Sequence, residues 1–353
     1  MKTREKMKIV HISSCDKFLP PYIEFIRKHF DFSEHQFFLT SGMADSLITT
    51  SNNVSLANRG LLSRLKHYKN VLIGMHKAEK IILHGLFDIR IIQMLFFTPW
   101  LLKKCHWVMW GSDLYVYQFS DRDNTFKRRE FFRKFVIKNV GFLITYIPGD
   151  AALAREWYKA KGQVLECIMY TSNLYKDHKL DVDTSQSINI QLGNSADPSN
   201  EHIDALEKLL KFKNENINIY VPLSYGPAGL STYTENVIKQ GKEWFGEKFK
   251  PMLSFMPFDE YLHFLSTVDI AIFNHKRQQA MGNTIALLGL EKTVYIRSET
   301  TQWEFFHLKG IKIGDINQLN SLDKIDVKTN SEIIKKYFSE EQYLQQLKNI
   351  FTQ

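Results

Sequence analysis

Cysteine is scarce in this chain, which has only three cysteines, Cys15, Cys105 and Cys167, among its 353 residues. Because they are odd in number and far apart, they exclude a disulfide framework and a zinc-type pair, and they favour a reducing compartment. Long hydrophobic runs are also missing, since the longest, residues 91–102, is too short to span a bilayer. Residues 1–14 lack the apolar segment of a secretion signal. We therefore expect a cytoplasmic protein that crosses no membrane.

Several motifs of nucleotide and nucleophilic chemistry are absent as well. The chain has neither the G-x-x-x-x-G-K-[ST] P-loop nor the G-x-G-x-x-G dinucleotide fingerprint. It has no Asp-x-Asp between alternating flanks that could hold a metal-bound sugar nucleotide. It also has no Ser/His/Asp or Cys/His/Asp order typical of covalent catalysis. We therefore predict a reaction that uses no metal ion and no resident cofactor.

Positive charge is in excess, and the excess lies in the first part of the chain. The formal net charge is +8, and residues 1–150 contain 23 Lys and Arg residues against 13 Asp and Glu residues. The remaining residues are close to balance. This distribution predicts a polyanionic partner for the N-terminal half, and nucleic acid and an anionic bilayer surface are the two candidates.

The basic excess is concentrated in residues 126–139, FKRREFFRKFVIKN, where six cations are interleaved with phenylalanines. A basic amphipathic helix of this kind fits shallow docking on anionic lipid headgroups. The alternative is a helix that packs on the core and exposes a solvated basic face. Nucleic acid is the weaker candidate because no recognition motif accompanies the charge.

Short apolar runs typical of strands alternate with amphipathic helical stretches almost throughout the chain. Such alternation predicts an α/β fold with parallel sheets and helices on both faces. The polar stretch 171–187 separates two series of this kind and is interpreted as a linker. We predict two Rossmann-like domains facing a cleft, residues 1–170 and 188–330, followed by a helical segment at 331–353.

Polar or aromatic clusters follow four strands predicted in the second domain. Because the carboxyl ends of parallel strands meet at one edge of a sheet, these clusters are expected to converge there. After one of these strands, Gly282 and Asn283 open a helix whose N-terminus attracts anions. The candidates for a nucleotide pocket are Gly193, Asn194, Ser195, Ser224, Tyr225, Phe255, Asn274, Arg277, Gln278, Gln279, Gly282 and Asn283. The alternative for each loop is a simple turn before a capped helix, with Ser199 or Asn200 as one of the caps.

Two strand ends of the first domain carry ionisable groups. His84 follows one strand in HGLFD, and Asp113 follows another in WGSDLY. Each would face the predicted cleft, so His84 and Asp113 are candidates for the general base. The alternatives are a structural histidine and a helix-capping aspartate. His11 and Asp16, after the first strand, form a further candidate pair.

These motifs together resemble the dTDP-N-acetylfucosamine:lipid II N-acetylfucosaminyltransferase family. Its members move 4-acetamido-4,6-dideoxygalactose to a lipid-linked saccharide in enterobacterial common antigen synthesis. The resemblance lies in HGLF at 84–87, WGSDLY at 110–115, GNSADPSNEHIDAL at 193–206, VP at 221–222 before Ser224 and Tyr225, FDEYL at 258–262, and FNHKRQQAMGN at 273–283. These segments occur in order between residues 80 and 305.

The resemblance implies a GT-B glycosyltransferase, peripheral at the cytoplasmic face of the bacterial inner membrane, with a dTDP-linked donor and an undecaprenyl-diphosphate-linked acceptor. In such folds the C-terminal domain generally holds the nucleotide sugar and the N-terminal domain the acceptor, in agreement with the charge distribution. Arg277 and the helix start at Gly282 would then stabilise the departing diphosphate. Two alternatives remain open: a sugar-nucleotide epimerase on the same fold, and a non-catalytic basic protein that binds membrane or nucleic acid.

Overall fold

The computed structural model describes residues 8–42, 53–57, 60–118, 122–176, 187–224 and 231–352. The chain divides into two compact units. The first comprises residues 1–172 and 343–353, and the second comprises residues 173–342. The boundary between the units therefore lies within the stretch interpreted as a linker, of which residues 177–186 lie outside the described residues.

The first unit is built on a parallel sheet. Among the described residues its strands are β1 (Ile9–Cys15), β2 (His35–Gly42), β3 (Val54–Leu56), β4 (Lys80–His84), β5 (Cys105–Val108), β6 (Phe142–Ile144) and β7 (Gln163–Leu165). They are ordered β3-β2-β1-β4-β5-β6-β7, and every neighbouring pair is parallel. Its helices are α1 (Leu19–His29), α2 (Leu61–Lys77), α3 (Ile89–Phe97), α4 (Ser112–Tyr115), α5 (Asn124–Asn139) and α6 (Pro148–Tyr158).

The second unit repeats this plan. Among the described residues its strands are β8 (Ile188–Leu192), β9 (Ile217–Pro222), β10 (Phe249–Met252), β11 (Ile270–Phe273), β12 (Thr293–Ile296) and β13 (Gly314–Asp315). They are ordered β10-β9-β8-β11-β12-β13, again with every neighbouring pair parallel. Its helices are α7 (His202–Leu209), α8 (Thr232–Phe245), α9 (Phe258–Thr267), α10 (Met281–Gly289), α11 (Thr301–Leu308) and α12 (Lys328–Tyr337).

Continuous apolar runs explain why the central strands lie inside the sheets. Every residue of β5 and of β11 is buried, and Trp107 and Phe273 are among the largest buried side chains. Strands of parallel sheets are covered by helices on both faces, so they read as apolar runs rather than as alternating patterns. The α/β fold predicted from the alternation of such runs with helices is therefore confirmed.

In both sheets the order of the strands reverses beside the first strand of the unit. The chain leaves β1 on one side towards β2 and returns on the other side with β4, and it does the same with β8, β9 and β11. This is the order of a Rossmann-like sheet. Ligands of such sheets bind at this switch point, beyond the carboxyl ends of the strands. The first unit has its switch point between β1 and β4, and the second between β8 and β11.

The structure departs from the predicted elements mainly at short or terminal strands. The sequence pattern does not predict β3, β7 and β13, because two or three residues carry no recognisable period. The sequence pattern predicts a strand at 252–255, whereas β10 lies at Phe249–Met252, three residues earlier at both ends. The pattern also predicts a helix at 89–103, but α3 ends at Phe97. Pro99, which lacks a backbone N–H and so cannot continue the helix, begins a separate 3₁₀ turn.

The helical segment predicted at 331–353 contains parts of two helices that belong to different units. α12 packs in the second unit, where Ser331 Oγ donates to the carbonyl oxygen of Gly289 (3.0 Å). The helix that follows, α13 (Glu340–Thr352), enters the first unit, where the Tyr343 hydroxyl donates to the carbonyl oxygen of Met169 (2.6 Å). The second unit is thus inserted between two parts of the first.

Candidate active site

The loop after β8 begins with a glycine that the backbone geometry requires. Gly193 has φ +70°, in the left-handed region that favours glycine. A Cβ there would lie 2.4 Å from His202 Nε2 and 2.8 Å from Asn200 Oδ1. The buried Asn200 side chain holds the loop, because it accepts from Asn194 N (2.9 Å) and donates to Ser195 Oγ (3.1 Å). These hydrogen bonds fix the conformation of the loop, and Gly193 leaves the backbone at the carboxyl end of β8 without a side chain.

Side chains from the loop after β11 meet this loop. Ser199 Oγ donates to Gln279 Oε1 (2.8 Å), and Gln279 Nε2 donates to Asn194 Oδ1 (3.2 Å). Arg277 Nη2 in turn donates to Ser199 Oγ (3.3 Å). Because β8 and β11 are neighbours, these four residues form a cluster at the switch point of the second sheet. We call Asn194, Ser199, Arg277 and Gln279 the switch-point cluster.

Helix α10 begins directly after the switch-point cluster. Its first residue is Met281, preceded by Ala280 with φ +58°, and no side chain caps the first turn. Gly282 and Asn283, both predicted site residues, are the second and third residues of the helix. The first backbone N–H groups of a helix have no partner within it and form the positive end of the helix dipole. A guanidinium and a helix start therefore lie together, which suits a diphosphate.

Two of the residues predicted to bind a ligand are engaged inside the protein instead. Asn274 is completely buried, and its Nδ2 donates to the carbonyl oxygen of Glu201 (3.1 Å) and to Asp204 Oδ2 (2.7 Å). Ser195 is also buried, with its hydroxyl oxygen bonded to Asn200. Both side chains hold loops in place, and a contact of either one with a ligand stays a prediction.

The other predicted contacts in the second unit are accessible. Phe255, in the loop after β10, is 75% exposed, and Ser224, just after β9, is exposed too. Gln278 is half-buried, and its carbonyl oxygen accepts from Arg277 Nη1 (3.3 Å). Tyr225 lies outside the described residues. Since β9 and β10 continue the sheet beyond β8, Ser224 and Phe255 lie at the same edge as the switch-point cluster.

Asp113, in the first unit, accepts three hydrogen bonds from neighbouring loops, and its role as a general base stays a prediction. Its Oδ1 accepts from Trp110 N (2.9 Å), while Oδ2 accepts from Leu86 N (3.1 Å) and from Trp107 Nε1 (2.7 Å). Burial raises the pKa of this carboxyl, whereas the hydrogen bond from Trp107 and the charge of Arg133 lower it. A fully buried indole N–H needs an acceptor. Asp113 supplies it and joins the loops after β4 and β5.

His84 belongs to a row of buried histidines. Its Nε2 lies 3.1 Å from His11 Nδ1, and His11 Nε2 lies 2.9 Å from His35 Nδ1. The other ring nitrogen of His84, Nδ1, hydrogen-bonds with the Tyr170 hydroxyl (2.7 Å). Burial lowers the pKa of His84 to about 3 and that of His35 to about 4, so these imidazoles are neutral near pH 7. Because both ring nitrogens are engaged, His84 would have to break a hydrogen bond to act as a base.

A cavity of about 270 Å³ lies at the switch point of the first sheet. Ser13, Thr40 and His84 line it near the carboxyl ends of β1, β2 and β4, and the start of α3 lines its other side. This is the position where Rossmann-like sheets bind ligands. The first unit therefore holds a second candidate binding site. Within the described ranges, no group of three or more His, Cys, Asp or Glu side chains could hold a metal ion.

Ser199 and Tyr170 are among the residues of these sites that were not predicted as site residues. Ser199 was considered only as a helix cap, although its place in the polar loop after β8 is a signal that could have found it. Tyr170 lies 86 residues from His84, and no local pattern links the two. A site residue whose partner is so distant in sequence can be recognised only from the folded structure.

The basic segment 126–139 forms most of α5 and packs on the core. Val136 and Ile137 are fully buried, and the buried Arg133 pairs with Glu130 (Nε to Oε2, 3.3 Å). The other cations of the segment are exposed, namely Lys127, Arg128, Arg129, Lys134 and Lys138. α5 therefore packs on the core through one face and carries exposed cations on the other. In the part of the chain that the structure describes, no helix is both long enough and apolar enough to span a membrane.

The two parallel sheets define the fold, which solved structures share over nearly their whole length. The chain is similar to a sucrose-phosphate synthase from Thermosynechococcus elongatus (14% identity, TM-score 0.65, 98% of each chain covered). It is similar to WaaG, a glycosyltransferase involved in lipopolysaccharide biosynthesis (10% identity, TM-score 0.61, 97% of this chain and 98% of that chain). It is also similar to a UDP-forming trehalose-phosphate synthase from Burkholderia xenovorans (8% identity, TM-score 0.63, 98% of each chain). These likenesses show the GT-B fold.

The chain belongs to the 4-alpha-L-fucosyltransferase family, glycosyl transferase group 56, whose family model matches residues 31–348. This match confirms the family resemblance inferred from the sequence motifs. The protein is therefore a glycosyltransferase that acts on a nucleotide-sugar donor and a saccharide acceptor.

Proposed function

We propose that the enzyme transfers 4-acetamido-4,6-dideoxygalactose from a dTDP-linked donor to an undecaprenyl-diphosphate-linked saccharide in bacterial surface polysaccharide synthesis. The observation that carries this proposal is the switch-point cluster at the start of α10. A nucleoside diphosphate that leaves a sugar develops negative charge, which a guanidinium and a helix N-terminus stabilise. Membership of the family over residues 31–348 supports the choice of donor.

In this proposal the donor lies along the carboxyl edge of the second sheet. Arg277 and the first turn of α10 hold the diphosphate, while Gln278 and Gln279 contact the sugar or the diphosphate. Gly193 lets the ligand approach the backbone closely, since it presents no side chain. Phe255, exposed at the same edge, offers its ring to the nucleobase. No metal ion and no resident cofactor take part.

The saccharide of the acceptor is assigned to the cavity of the first unit. His84 borders that cavity as a neutral side chain. Its hydrogen bonds to His11 and Tyr170 hold the ring, and with it this part of the cavity wall, in place. Asp113 has an indirect role. Its three hydrogen bonds hold together the loops after β4 and β5, beside the cavity. This division agrees with the excess of positive charge in residues 1–150.

A nucleotide screen by thermal unfolding tests the donor. We expect dTDP to raise the melting temperature more than UDP, GDP or CMP. A ligand that binds only the folded state stabilises it by about 2.7 kcal/mol at a hundred times its Kd. Arg277→Ala should lose most of this response, whereas Lys276→Ala should keep it, because the exposed Lys276 pairs with Glu201 (3.1 Å) outside the cluster. No response to any of the four nucleotides would contradict the proposal.

A transfer assay then separates the proposed reaction from epimerisation. We expect the dTDP-linked sugar to be consumed only when the lipid-linked saccharide is present. Conversion of the sugar nucleotide to an isomer without any acceptor would show an epimerase instead. Binding to vesicles without either reaction would show the non-catalytic alternative.

We further propose that the enzyme is peripheral at the cytoplasmic face of the bacterial inner membrane, with its first unit on the lipid. Phe97 and Phe131 are 69% and 63% exposed, and both pack against Phe96, with ring centroids 5.2 Å and 5.6 Å from it. We call Phe97 and Phe131 the aromatic patch. Exposed cations, including Lys127 and Arg128, lie on α5, the helix that also carries Phe131. Exposed aromatics beside cations suit an anionic headgroup region.

Sedimentation with vesicles tests the membrane proposal. We expect binding to vesicles that contain phosphatidylglycerol, weaker binding at high salt, and little binding to phosphatidylcholine alone. Replacing both residues of the aromatic patch by serine should weaken binding by at least about tenfold, because two buried phenyl groups are lost. Leu308→Ser is the matched control, since Leu308 is 67% exposed in the second unit. Equal effects of the double variant and the control would argue against docking through the patch.

A further inference from the structure

Two arginines border the cavity of the first unit. Arg90, in α3, and Arg129, in α5, both line it, and both are exposed. Asp88 is the only carboxylate among the lining residues. Its Oδ1 accepts from Arg90 N (2.9 Å) and its Oδ2 accepts from the Tyr68 hydroxyl (2.6 Å), so both oxygens are engaged. The cavity is therefore bordered by an excess of positive charge.

The Arg90 side chain is held in position by a buried tyrosine. Its Nη1 donates to the Tyr68 hydroxyl oxygen (3.0 Å), and its guanidinium carbon lies 5.3 Å from the centroid of the Tyr68 ring. Tyr68 is buried and is itself fixed by the hydrogen bond to Asp88. A guanidinium has five N–H donors in a planar fork, so one bond to Tyr68 leaves donors for a ligand. Arg90 thus has an orientation set before any ligand arrives.

Arg129 completes the pair from a different helix. It lines both this cavity and a neighbouring one of about 420 Å³. With the residues that the structure describes, it forms no hydrogen bond and no ion pair. The nearest carboxylates in sequence are engaged elsewhere: Glu130 pairs with Arg133 (3.3 Å), and Asp123 accepts from Phe126 N (2.6 Å). The charge of Arg129 is therefore not neutralised by its neighbours in α5.

We propose that Arg90 and Arg129 bind the diphosphate of the acceptor, so that its saccharide enters the cavity beside Ser13, Thr40 and His84. Planar guanidinium groups match the oxygens of phosphates through paired hydrogen bonds, which a lysine cannot reproduce. Tyr68 is the positioning residue, since it orients Arg90 and lines no part of the cavity. This inference rests on the proposed function, because it concerns the lipid-linked acceptor.

Two soluble acceptors test the inference. One carries the saccharide on a short-chain alkyl diphosphate, and the other carries the same saccharide as a neutral alkyl glycoside. We expect Arg90→Gln and Arg129→Gln each to raise KM for the diphosphate acceptor about tenfold, which is the effect of losing one charge-assisted hydrogen bond. KM for the neutral glycoside and for the donor should stay unchanged. Arg155→Gln is the matched control, because Arg155 is an exposed arginine of α6 in the first unit and does not line the cavity.

Tyr68→Phe tests the positioning role. This variant keeps the ring under the guanidinium but removes the hydroxyl that accepts from Arg90. We expect a smaller rise in KM for the diphosphate acceptor, with kcat and KM for the neutral glycoside unchanged. A merely structural role of the hydroxyl would alter both acceptors alike and would overturn this assignment.

Other outcomes of the acceptor assay also decide the matter. Equal rises in KM for both acceptors, or an equal effect of Arg155→Gln, would overturn the diphosphate site. Loss of binding to phosphatidylglycerol vesicles, with an unchanged KM for the soluble diphosphate acceptor, would show that the arginines bind membrane phospholipid instead.

A calorimetric titration keeps this inference separate from the proposed reaction. Inorganic pyrophosphate is titrated into an Arg277→Ala protein, in which the donor site is weakened, and into the same protein with Arg90→Gln and Arg129→Gln added. We expect the added substitutions to remove the remaining binding. If that result is found while no sugar is transferred, the anion site stands and the proposed function fails. If pyrophosphate binds equally to both proteins, the anion site is disproved.

Discussion

Replacing Arg277 by alanine is expected to lower turnover by about one to three orders of magnitude, which corresponds to ~1.4–4 kcal/mol of transition-state stabilisation. Arg277 is the charged member of the switch-point cluster, with its guanidinium on Ser199 (3.3 Å) and close in sequence to the start of α10. Negative charge grows on the diphosphate as its bond to the sugar breaks. The interaction with Arg277 therefore becomes stronger in the transition state than in the bound donor.

Steady-state kinetics with saturating acceptor measures this effect. We expect the loss mainly in kcat, with a smaller rise in KM for the donor, and partial recovery in Arg277→Lys, which keeps the charge but not the planar fork. Lys276→Ala, a change at the adjacent exposed cation, should leave turnover close to that of the wild type. A folded Arg277→Ala enzyme with near-normal turnover would remove Arg277 from this role.

Replacing Asp113 by alanine is expected to destabilise the first unit by roughly 3–5 kcal/mol. Three N–H groups would lose their acceptor at once, those of Trp110, Leu86 and Trp107. The indole of Trp107 is completely buried, so water cannot replace the lost partner. Arg133, whose guanidinium donates to the carbonyl oxygens of Leu86 and Asp113, would also lose a nearby negative charge.

Urea denaturation followed by tryptophan fluorescence measures this loss. Asp123→Ala is the matched control, because Asp123 is also an aspartate that accepts from a backbone N–H, at the start of α5, but it is exposed. Losing such a cap should cost only about 1 kcal/mol. Asp113→Asn should lie between the two, since an amide retains one acceptor oxygen. If Asp113→Ala instead keeps full stability and loses only turnover, the result would favour a general base over a structural role.

Much of the fold could be predicted because its elements depend on neighbours in sequence. The sequence pattern predicts strands at 80–84 and 188–192, which are the bounds of β4 and β8, since an apolar run buried on both faces is recognisable from composition alone. The need for glycine at Gly193 is equally local, because a turn after a strand requires an unusual φ. The sequence pattern does not predict the short edge strands β3, β7 and β13, because two or three residues are too few to show a pattern.

The roles of individual side chains were harder to predict because their partners lie far away in the chain. From the sequence alone, Asp113 could be a general base or a helix-capping residue. The two roles differ in which hydrogen-bond donors surround the carboxylate. One of these donors, Leu86 N, is 27 residues away. His84 meets His11 from a strand 73 residues earlier, and this contact uses a nitrogen that a base would need. Asn274 is a similar case, since it is buried and its partner Asp204 lies 70 residues earlier in the chain.

The sequence by itself determined the alternation of strands and helices, the polar loops at the strand ends, the charge asymmetry and the family. Only the tertiary structure decided the strand order, and with it the two switch points at which particular loops converge. Periodicity records whether a segment is buried, and it does not record which segment lies beside it. Strand pairing is what brings Asn194 to Gln279 and sets Arg90 and Arg129 around one cavity, so both candidate sites exist only in the folded chain.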